Sequence, residues 1–215
     1  MRKTLLLALV LDICTSCVAR QVAQPRAGDA QERGNQNENQ DRGRGKLLRF
    51  FGGRASLVSP AGWVLLTVDG IESTATVVFQ IKNPADEGTP DSANVKVDML
   101  ESFGGVAVAG NEIVARLKKE PGTAVASDTT DDGGVRVILT RAQGESAPYV
   151  IIDVLVGRAN LGVWCRAAYP LLDTTTREWH EAMLREFKKL VGSVHLDNEV
   201  VFHGDTGLRI DEMRL

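Results

Sequence analysis

Apolar and polar residues alternate with a period of two along several short stretches of the chain, which is the pattern of half-buried β-strands. The clearest case is Ala93–Leu100, where every second residue is apolar. Other stretches are rich in β-branched or apolar residues and end at turn-forming residues, so they also predict strands. These stretches are Arg54–Val58, Val64–Val68, Ala75–Ile81, Val135–Thr140, Tyr149–Val156 and Leu161–Ala167.

The last three of these strands follow one another closely. The link Gly157–Asn160 contains residues that favour tight turns. The link between the predicted strands Val135–Thr140 and Tyr149–Val156 is also short. Short links between successive strands are typical of antiparallel neighbours. Residues 135–167 therefore predict an antiparallel meander.

The apolar spacing changes to three and four residues over residues 111–119, which predicts a short helix with Asn111 as its N-cap. A longer helix is predicted from the capping-box pattern Thr175–Glu178 to Gly192-Ser193. It carries one wide apolar stripe, which favours packing on a sheet. The stripe consists of Trp179, Met183, Phe187, Leu190 or Val191, and Val194.

These elements lie in a chain of 215 residues with 43% hydrophobic and 25% charged residues, a composition that is ordinary for a soluble globular domain. The net charge is −3, so composition gives no general electrostatic basis for binding nucleic acid or an anionic membrane. The sequence contains no P-loop, no dinucleotide fingerprint and no Gly-x-Ser-x-Gly motif.

The N-terminal residues have the pattern of a secretory signal. Arg2 and Lys3 precede the apolar run Leu5–Leu11, and Asp12 then interrupts the run, which is too short for a membrane helix. A buried N-terminal helix is the alternative interpretation. We expect residues 1–19 to be a signal peptide that exports the protein.

Two routes remain open for the end of this signal. Cleavage after Ala19 would use Cys17-Val18-Ala19 as a small-x-small site. The alternative is a lipoprotein signal of residues 1–16 with lipid on Cys17, which resembles a bacterial lipobox with Cys14 in place of the preferred Leu. By either route the exported domain keeps Cys165 as its single cysteine and has no internal disulfide.

Residues 20–45 are polar and contain no aromatic residue, so they cannot bury enough apolar surface to offset the entropy of ordering them. Five arginines in this segment would suit RNA or anionic lipid, but four acidic residues are interleaved with them, which favours a solvated tether. The expected organisation is therefore a signal, a disordered polar linker, and a single α+β globular domain over residues 46–215.

A few short motifs resemble the PsbP-like group of α/β/α sandwiches. Pro60–Trp63 is similar to the P-x-G-W that follows the first strand of that group, and Ala93–Val97 resembles its next strand. Ala168–Pro170, with Phe187 and Ser193-Val194, resembles the segment that leads from the last strand through the final helix.

The resemblance covers about residues 52–197 and implies an antiparallel β-sheet with helices packed on its faces and a C-terminal amphipathic helix. It also implies a scaffold that binds or assists another envelope component, because the group has no shared catalytic residues to carry over. The segment Asp197–Leu215 continues past the usual end of the group. Val200–Phe202 and Leu208–Ile210 favour a hairpin there.

The candidate catalytic and metal motifs are incomplete. Asp205-Thr206-Gly207 is the tripeptide of aspartic proteases, but only eight residues follow it, so a turn is favoured. His180-Glu181 begins the zinc motif His-Glu-x-x-His, but Leu184 occupies the second His position. The acidic stretch Ser127–Gly134, with its three aspartates, lacks the EF-hand spacing and favours a solvated loop. Cys165 has no neighbouring base to activate it, which favours a buried core residue.

We therefore assign no catalytic, cofactor or metal site from the sequence, and Cys17 is the single candidate for modification. The first hypothesis is an exported, non-catalytic envelope protein whose α+β domain binds an envelope partner, with no nucleic acid and with membrane contact only through a lipid anchor. The second is a hydrolase or other enzyme with a site assembled from distant residues, such as a pocket with His203 and Asp205, or Cys165 near a histidine. The third is a small-ligand-binding protein that would use one of the tryptophans, Trp63, Trp164 or Trp179.

Overall fold

The structure is a computed structural model that describes residues 45–71, 73–81, 93–130, 134–143, 148–170 and 177–202. All of them belong to one unit of the chain, Glu38–Leu215, whereas the preceding unit, Met1–Asn37, lies outside the described residues. The expected signal with Cys17, nearly all of the linker, and the hairpin expected after Phe202 also lie outside them.

The described residues form eleven strands and two α-helices. In chain order the strands are β1 (Leu47–Phe50), β2 (Ala55–Val58), β3 (Val64–Ile71), β4 (Thr74–Ile81), β5 (Ala93–Glu101), β6 (Thr123–Thr130), β7 (Arg136–Gln143), β8 (Pro148–Arg158), β9 (Leu161–Pro170), β10 (His195–Leu196) and β11 (Glu199–Val200). The helices are α1 (Val106–Leu117) and α2 (Arg177–Gly192), and a 3-10 turn spans Phe51–Gly53.

An antiparallel sheet of seven strands, in the order β3-β4-β5-β9-β8-β7-β6, forms the centre of the fold. The strands β7, β8 and β9 pair in succession, which confirms the predicted meander. A second, smaller sheet has the order β1-β2-β10-β11. The predicted fold class, an antiparallel β-sheet with helices packed on it, is confirmed.

The main core lies on one face of the seven-stranded sheet. Alternate residues of β4, β5, β8 and β9 are buried there, among them Val77, Val97 and Val154. Phe187 of α2 and Leu57 of β2 belong to the same cluster, so α2 and the small sheet cover this face. Each such side chain contributes about 1.5–3 kcal/mol when it is removed from water. The expectation that the C-terminal helix is amphipathic and packs on a sheet is confirmed.

Helix α1 covers part of the opposite face. Ile138 of β7 and Leu155 of β8 lie in sequence between residues that face the main core, so their side chains project to the other side of the sheet. They pack there against Ile113 and Leu117 of α1. Helices therefore lie on both faces of the sheet, as the α/β/α arrangement requires.

One arginine attaches α1 to the sheet. Arg136 of β7 is 9% exposed, and its Nε and Nη2 donate to the two carboxylate oxygens of Asp128 at 2.7 and 2.6 Å. Its Nη1 donates to the carbonyl oxygen of Ala107 at 3.2 Å and to Asn111 Oδ1 at 2.8 Å, both on α1. These contacts, which we call the Arg136 clamp, satisfy a cation that would be costly to bury without partners.

The clamp explains two predictions that were wrong. Asn111 is not an N-cap, because α1 begins at Val106 after Gly105 and Asn111 lies inside the helix, where it binds Arg136. The residues 127–130 are not a loop, because they complete β6, whose Asp128 pairs with the same arginine. Strand β6 was missed because its sequence is polar and its position at the sheet edge leaves it exposed.

Gly110→Ala should destabilise the protein, although alanine normally stabilises a helix interior by about 1 kcal/mol relative to glycine. A Cβ on residue 110 would lie 2.5 Å from Arg136 Cδ and 2.6 Å from Nη1, and Arg136 cannot move without breaking the clamp. We expect the free energy of unfolding, measured by urea denaturation, to fall by about 1–3 kcal/mol.

The matched control is Gly192→Ala at the end of α2, where no atom lies within 4 Å of the new Cβ. This variant should be as stable as the wild type or slightly more stable. A Gly110→Ala protein that is at least as stable as the wild type would contradict the tight contact between α1 and Arg136.

Candidate functional site

Cys165 lies inside the main core. It is fully buried on β9, where its neighbours across the sheet are Val97 of β5 and Val154 of β8. Burial raises the pKa of its thiol well above the ordinary value, with a smaller contribution from Asp98. The expectation of a buried core cysteine is confirmed, and the thiol has no thiolate character at neutral pH.

The other candidate residues within the described part of the chain are held in separate contacts. Asp128 pairs with an arginine in the clamp. The His180 ring packs on Tyr169 and Trp179, with centroid distances of 5.2 and 5.5 Å, and burial lowers the pKa of its imidazole. His195 lies apart from them on β10. The remaining candidates lie outside the described residues: Asp131, Asp132, His203 and Asp205.

Two of the three tryptophans pack against the main core. Trp63 contacts Phe79 edge to face at 5.8 Å between centroids, and Trp179 contacts Tyr169 at 5.6 Å. Such aromatic pairs stabilise a core beyond the area they bury. These two side chains serve packing, as expected from their positions in or beside regular elements.

Trp164 lies on the opposite face of the sheet and belongs to a polar cluster. Its Nε1 donates to Asp153 Oδ1 at 2.6 Å, and Arg166 Nε donates to the same oxygen at 2.7 Å. The Arg166 guanidinium lies 4.7 Å from the Trp164 ring centroid, a cation–π contact. Asp153 is fully buried, and its side chain accepts hydrogen bonds from both donors.

Polar side chains from separate segments meet around Arg54, at the end of the large sheet where β5 ends and β8 turns into β9. Arg54 Nε donates to Asp197 Oδ1 at 2.9 Å, Nη1 donates to Glu101 Oε1 at 2.8 Å, and Nη2 donates to Asn160 Oδ1 at 3.1 Å. An ion pair between residues 158 and 199 adjoins them. We call these residues the Arg54 cluster: Arg54, Glu101, Arg158, Asn160, Asp197 and Glu199.

The cluster faces solvent. The side chains of Arg54 and Asp197 are 40% and 36% exposed, and Glu199 is more exposed still. Exposed ion pairs contribute little to stability, because water and salt screen them. The main effect of the cluster is therefore positional: one planar guanidinium fixes the ends of β5, the β8–β9 turn and the β10–β11 turn relative to one another.

The backbone in these segments adopts left-handed conformations. Asp197 and Asn198 have φ of 50° and 64°, as a two-residue type I′ hairpin turn requires. Phe51, Ser102 and Ala159 have φ of 53°, 61° and 50°, which is uncommon for these residue types. Within the described ranges, every non-glycine residue with positive φ lies in a segment next to Arg54. Backbone of this kind concentrates at functional sites.

Tight packing supports the loop that follows β5. The Phe103 ring lies directly over Gly162 of β9, so any side chain on residue 162 would overlap the ring. The Phe103 N–H donates to the carbonyl oxygen of Asn160 at 2.8 Å. This hydrogen bond attaches the loop after β5 to the β8–β9 turn, and Asn160 in that turn also belongs to the Arg54 cluster.

Sequence reasoning missed this cluster because its members are far apart along the chain. The hydrogen bonds from the Arg54 side chain to Glu101, Asn160 and Asp197 span 47, 106 and 143 positions, so no sequence motif or residue spacing indicates them. One local signal was available: Asp197-Asn198 is a pair typical of type I′ turns.

The sequence matches no protein-family model and no curated protein. Among solved structures, a point mutant of the protein Mog1 superimposes with a TM-score of 0.50 and 16% identity, and the match covers 74% of this chain and 99% of that chain. LpqN of Mycobacterium tuberculosis, described as involved in cell envelope biogenesis, gives a TM-score of 0.43 and 13% identity over 66% of this chain and 83% of that chain. The chain has a Mog1/PsbP-like fold.

This Mog1/PsbP-like fold confirms the resemblance at the level of architecture, and membership in the PsbP-like group itself stays a prediction. Within the described ranges, no group of three or more His, Cys, Asp or Glu side chains is placed to hold a metal ion. Neither α1 nor α2 is long and apolar enough to cross a membrane.

The Arg54 cluster should make stability depend on pH through Asp197. The hydrogen bond from Arg54 lowers the pKa of this carboxyl below its ordinary value, and Arg158 adds to the effect. Because the folded-state pKa is lower than the unfolded one, the stabilisation is present above about pH 4 and is lost as pH falls through the folded-state pKa.

Asp197→Asn removes this titration and preserves the turn, because asparagine also tolerates positive φ. In urea denaturation from neutral to strongly acidic pH, the wild type should be the more stable protein at neutral pH, and the difference should shrink in acid. A difference that stays constant across this pH range would show that Asp197 does not titrate as described.

Proposed function

We propose that this chain is an exported, non-catalytic cell-envelope protein whose α+β domain binds another envelope component at the Arg54 cluster. The observation that carries the proposal is that Arg54 joins three loop ends into one exposed polar surface. Binding residues are often placed on loops that a rigid scaffold positions, and a strand-rich sheet end is such a scaffold. PsbP-like proteins, which the sequence resembles, are expected to act as scaffolds of this kind.

The geometry suits binding because the loops are fixed before a partner arrives. Arg54 uses Nε, Nη1 and Nη2 in hydrogen bonds, and the Asp197 N–H also donates to the Arg54 carbonyl oxygen at 2.6 Å. A surface with such internal contacts loses little conformational entropy when it binds. Rigid support of the groups that contact a partner is what separates a binding surface from a set of mobile loops.

The charges at the rim suit recognition of a polar protein surface. Arg158 and Glu199 form an ion pair with both side chains well exposed, beside the more internal Arg54 contacts. Rim charges of this kind affect specificity and association rate more than they affect affinity. We expect the partner to be an envelope protein, with no nucleic acid involved and with membrane contact only through a lipid on Cys17.

Export follows from the N-terminal pattern of a basic start and the apolar run Leu5–Leu11. The intact mass of the protein isolated from the envelope of a native-like host tests this part of the proposal. A mass that corresponds to residues 17–215 plus lipid would identify a tethered lipoprotein. A mass that corresponds to residues 20–215 would identify a secreted or periplasmic protein, and a full-length mass would contradict export.

Site-specific photo-crosslinking in intact cells tests binding at the Arg54 cluster. A photoreactive amino acid in place of Glu199 should give a discrete adduct with another envelope protein. The same amino acid in place of Ala124, exposed on β6 at the far edge of the sheet, should not give this adduct. Mass spectrometry of the adduct identifies the partner.

Arg54→Lys in the Glu199-substituted chain provides the matched test of preorganisation. Lysine keeps the charge but lacks the planar fork that reaches three acceptors, so the adduct yield should fall while the protein stays folded. Equal adducts from residues 199 and 124 would contradict binding at the cluster. An unchanged yield in the Arg54→Lys chain would contradict the role of the fixed loops.

A further inference from the structure

Two glycines lie opposite each other across the β8–β9 hairpin and leave its backbone bare on one face. Gly157 and Gly162 are direct register partners. Neither residue has a positive φ, so the backbone conformation does not require glycine at either position. Glycine inside a strand gives up side-chain packing, and it often marks a place where another group approaches the backbone closely.

The Phe103 ring is the group that approaches this backbone. A Cβ on residue 162 would overlap the ring, and a Cβ on residue 157 would lie 3.0 Å from Phe103 Cε1 and 3.2 Å from Val106 Cγ2. The ring therefore lies against both strands, with Val106 of α1 close to the same position. We call Gly157, Gly162 and Val106 the Phe103 seat.

The Phe103 seat joins two segments that supply hydrogen-bond acceptors to Arg54. Glu101 lies two residues before Phe103 and accepts from Arg54 Nη1. Asn160 lies two residues before Gly162 and accepts from Arg54 Nη2. The Phe103 N–H donates to the carbonyl oxygen of Asn160 at 2.8 Å, so both the main chain and the ring of Phe103 contact the β8–β9 hairpin.

Both segments hold residues in backbone conformations that need support from the rest of the structure. Ser102 and Ala159 have φ of 61° and 50°, which serine and alanine rarely adopt. The hydrogen bond from Arg54 to Asn160 is exposed, and water competes with a single exposed hydrogen bond. Packing of the Phe103 ring on its seat adds an apolar contact that salt does not screen.

We propose that Phe103 is the positioning residue of the Arg54 cluster. Its ring, on the Phe103 seat, holds the β5–α1 loop (residues 102–105) against the β8–β9 turn, so that Asn160 stays within reach of Arg54. The positioning itself requires no partner, and its consequence for binding rests on the proposed function. Phe103 acts through Asn160 and need not contact the partner.

The ¹⁵N relaxation of the purified full chain measures this positioning without a partner. The order parameter of the Asn160 backbone N–H should be about 0.85 in the wild type, as in rigid backbone, and should fall below about 0.6 in Phe103→Ala. Phe103→Tyr keeps the ring and should preserve the wild-type value. The matched control is Trp63→Ala, which removes a ring that packs on Phe79 at the other end of the large sheet and should leave Asn160 ordered.

Gly162→Ala separates positioning from stability. Alone it should lower the midpoint of thermal unfolding, because its Cβ overlaps the Phe103 ring. Combined with Phe103→Ala it should regain much of that midpoint, since the new methyl group then occupies vacated space. Asn160 should nevertheless stay mobile in the double variant, because the ring that holds the turn is missing.

An Asn160 order parameter that stays at the wild-type value in Phe103→Ala would overturn the proposal. So would an equal loss in Trp63→Ala, or a return of Asn160 order together with stability in the double variant, since the order of the turn would then follow the stability of the whole domain. Phe103→Leu keeps apolar volume without a planar ring, so it provides the same test if Phe103→Ala does not fold.

Photo-crosslinking at residue 199 tests the consequence for binding. Phe103→Ala in the Glu199-substituted chain should lose most of the adduct, whereas Trp63→Ala should keep it. An unchanged adduct in a Phe103→Ala chain whose Asn160 is mobile would overturn the role of Phe103 in binding. Absence of the adduct without either substitution would contradict the proposed function, and the order parameter of Asn160 would still decide whether Phe103 positions the cluster.

Discussion

The alternation of buried and exposed side chains along β4, β5, β8 and β9 is the constraint on which the rest of the structure depends. A period of two places one row of apolar side chains on a single face, and that face must be covered to keep water out. Helix α2 and the small sheet provide the cover, with Phe187 and Leu57 fully buried in the same cluster. The positions of the loops at the sheet end follow from this packing.

Two arginines then attach the peripheral elements to the sheet. Arg136 is nearly buried and joins α1 to β6 and β7, and Arg54 is exposed and joins loop ends. The difference in burial gives them different roles. The partners of Arg136 offset the desolvation of a buried charge and so fix the helix. The contacts of Arg54 add little stability, and their effect is to order an exposed polar surface.

The three surfaces of the domain are chemically distinct. The Arg54 end is polar and held by internal hydrogen bonds, and the charges around Trp164 and Asp153 are paired with one another. The β3 edge is apolar, and within the described ranges no residue pairs with its outer side.

Local pattern alone determined most of the strands, the meander and the amphipathic C-terminal helix, because alternation and three-to-four spacing are recorded in neighbouring residues. Tertiary contacts decided where α1 begins and whether β6 forms. Asn111 binds Arg136 inside α1 instead of capping the helix, and β6 forms because its backbone pairs with β7 although its sequence has only a weak preference for a strand. The Arg54 cluster also could not be predicted from the sequence. Its residues meet through contacts between distant segments, and such contacts exist only once the sheet has brought those segments together.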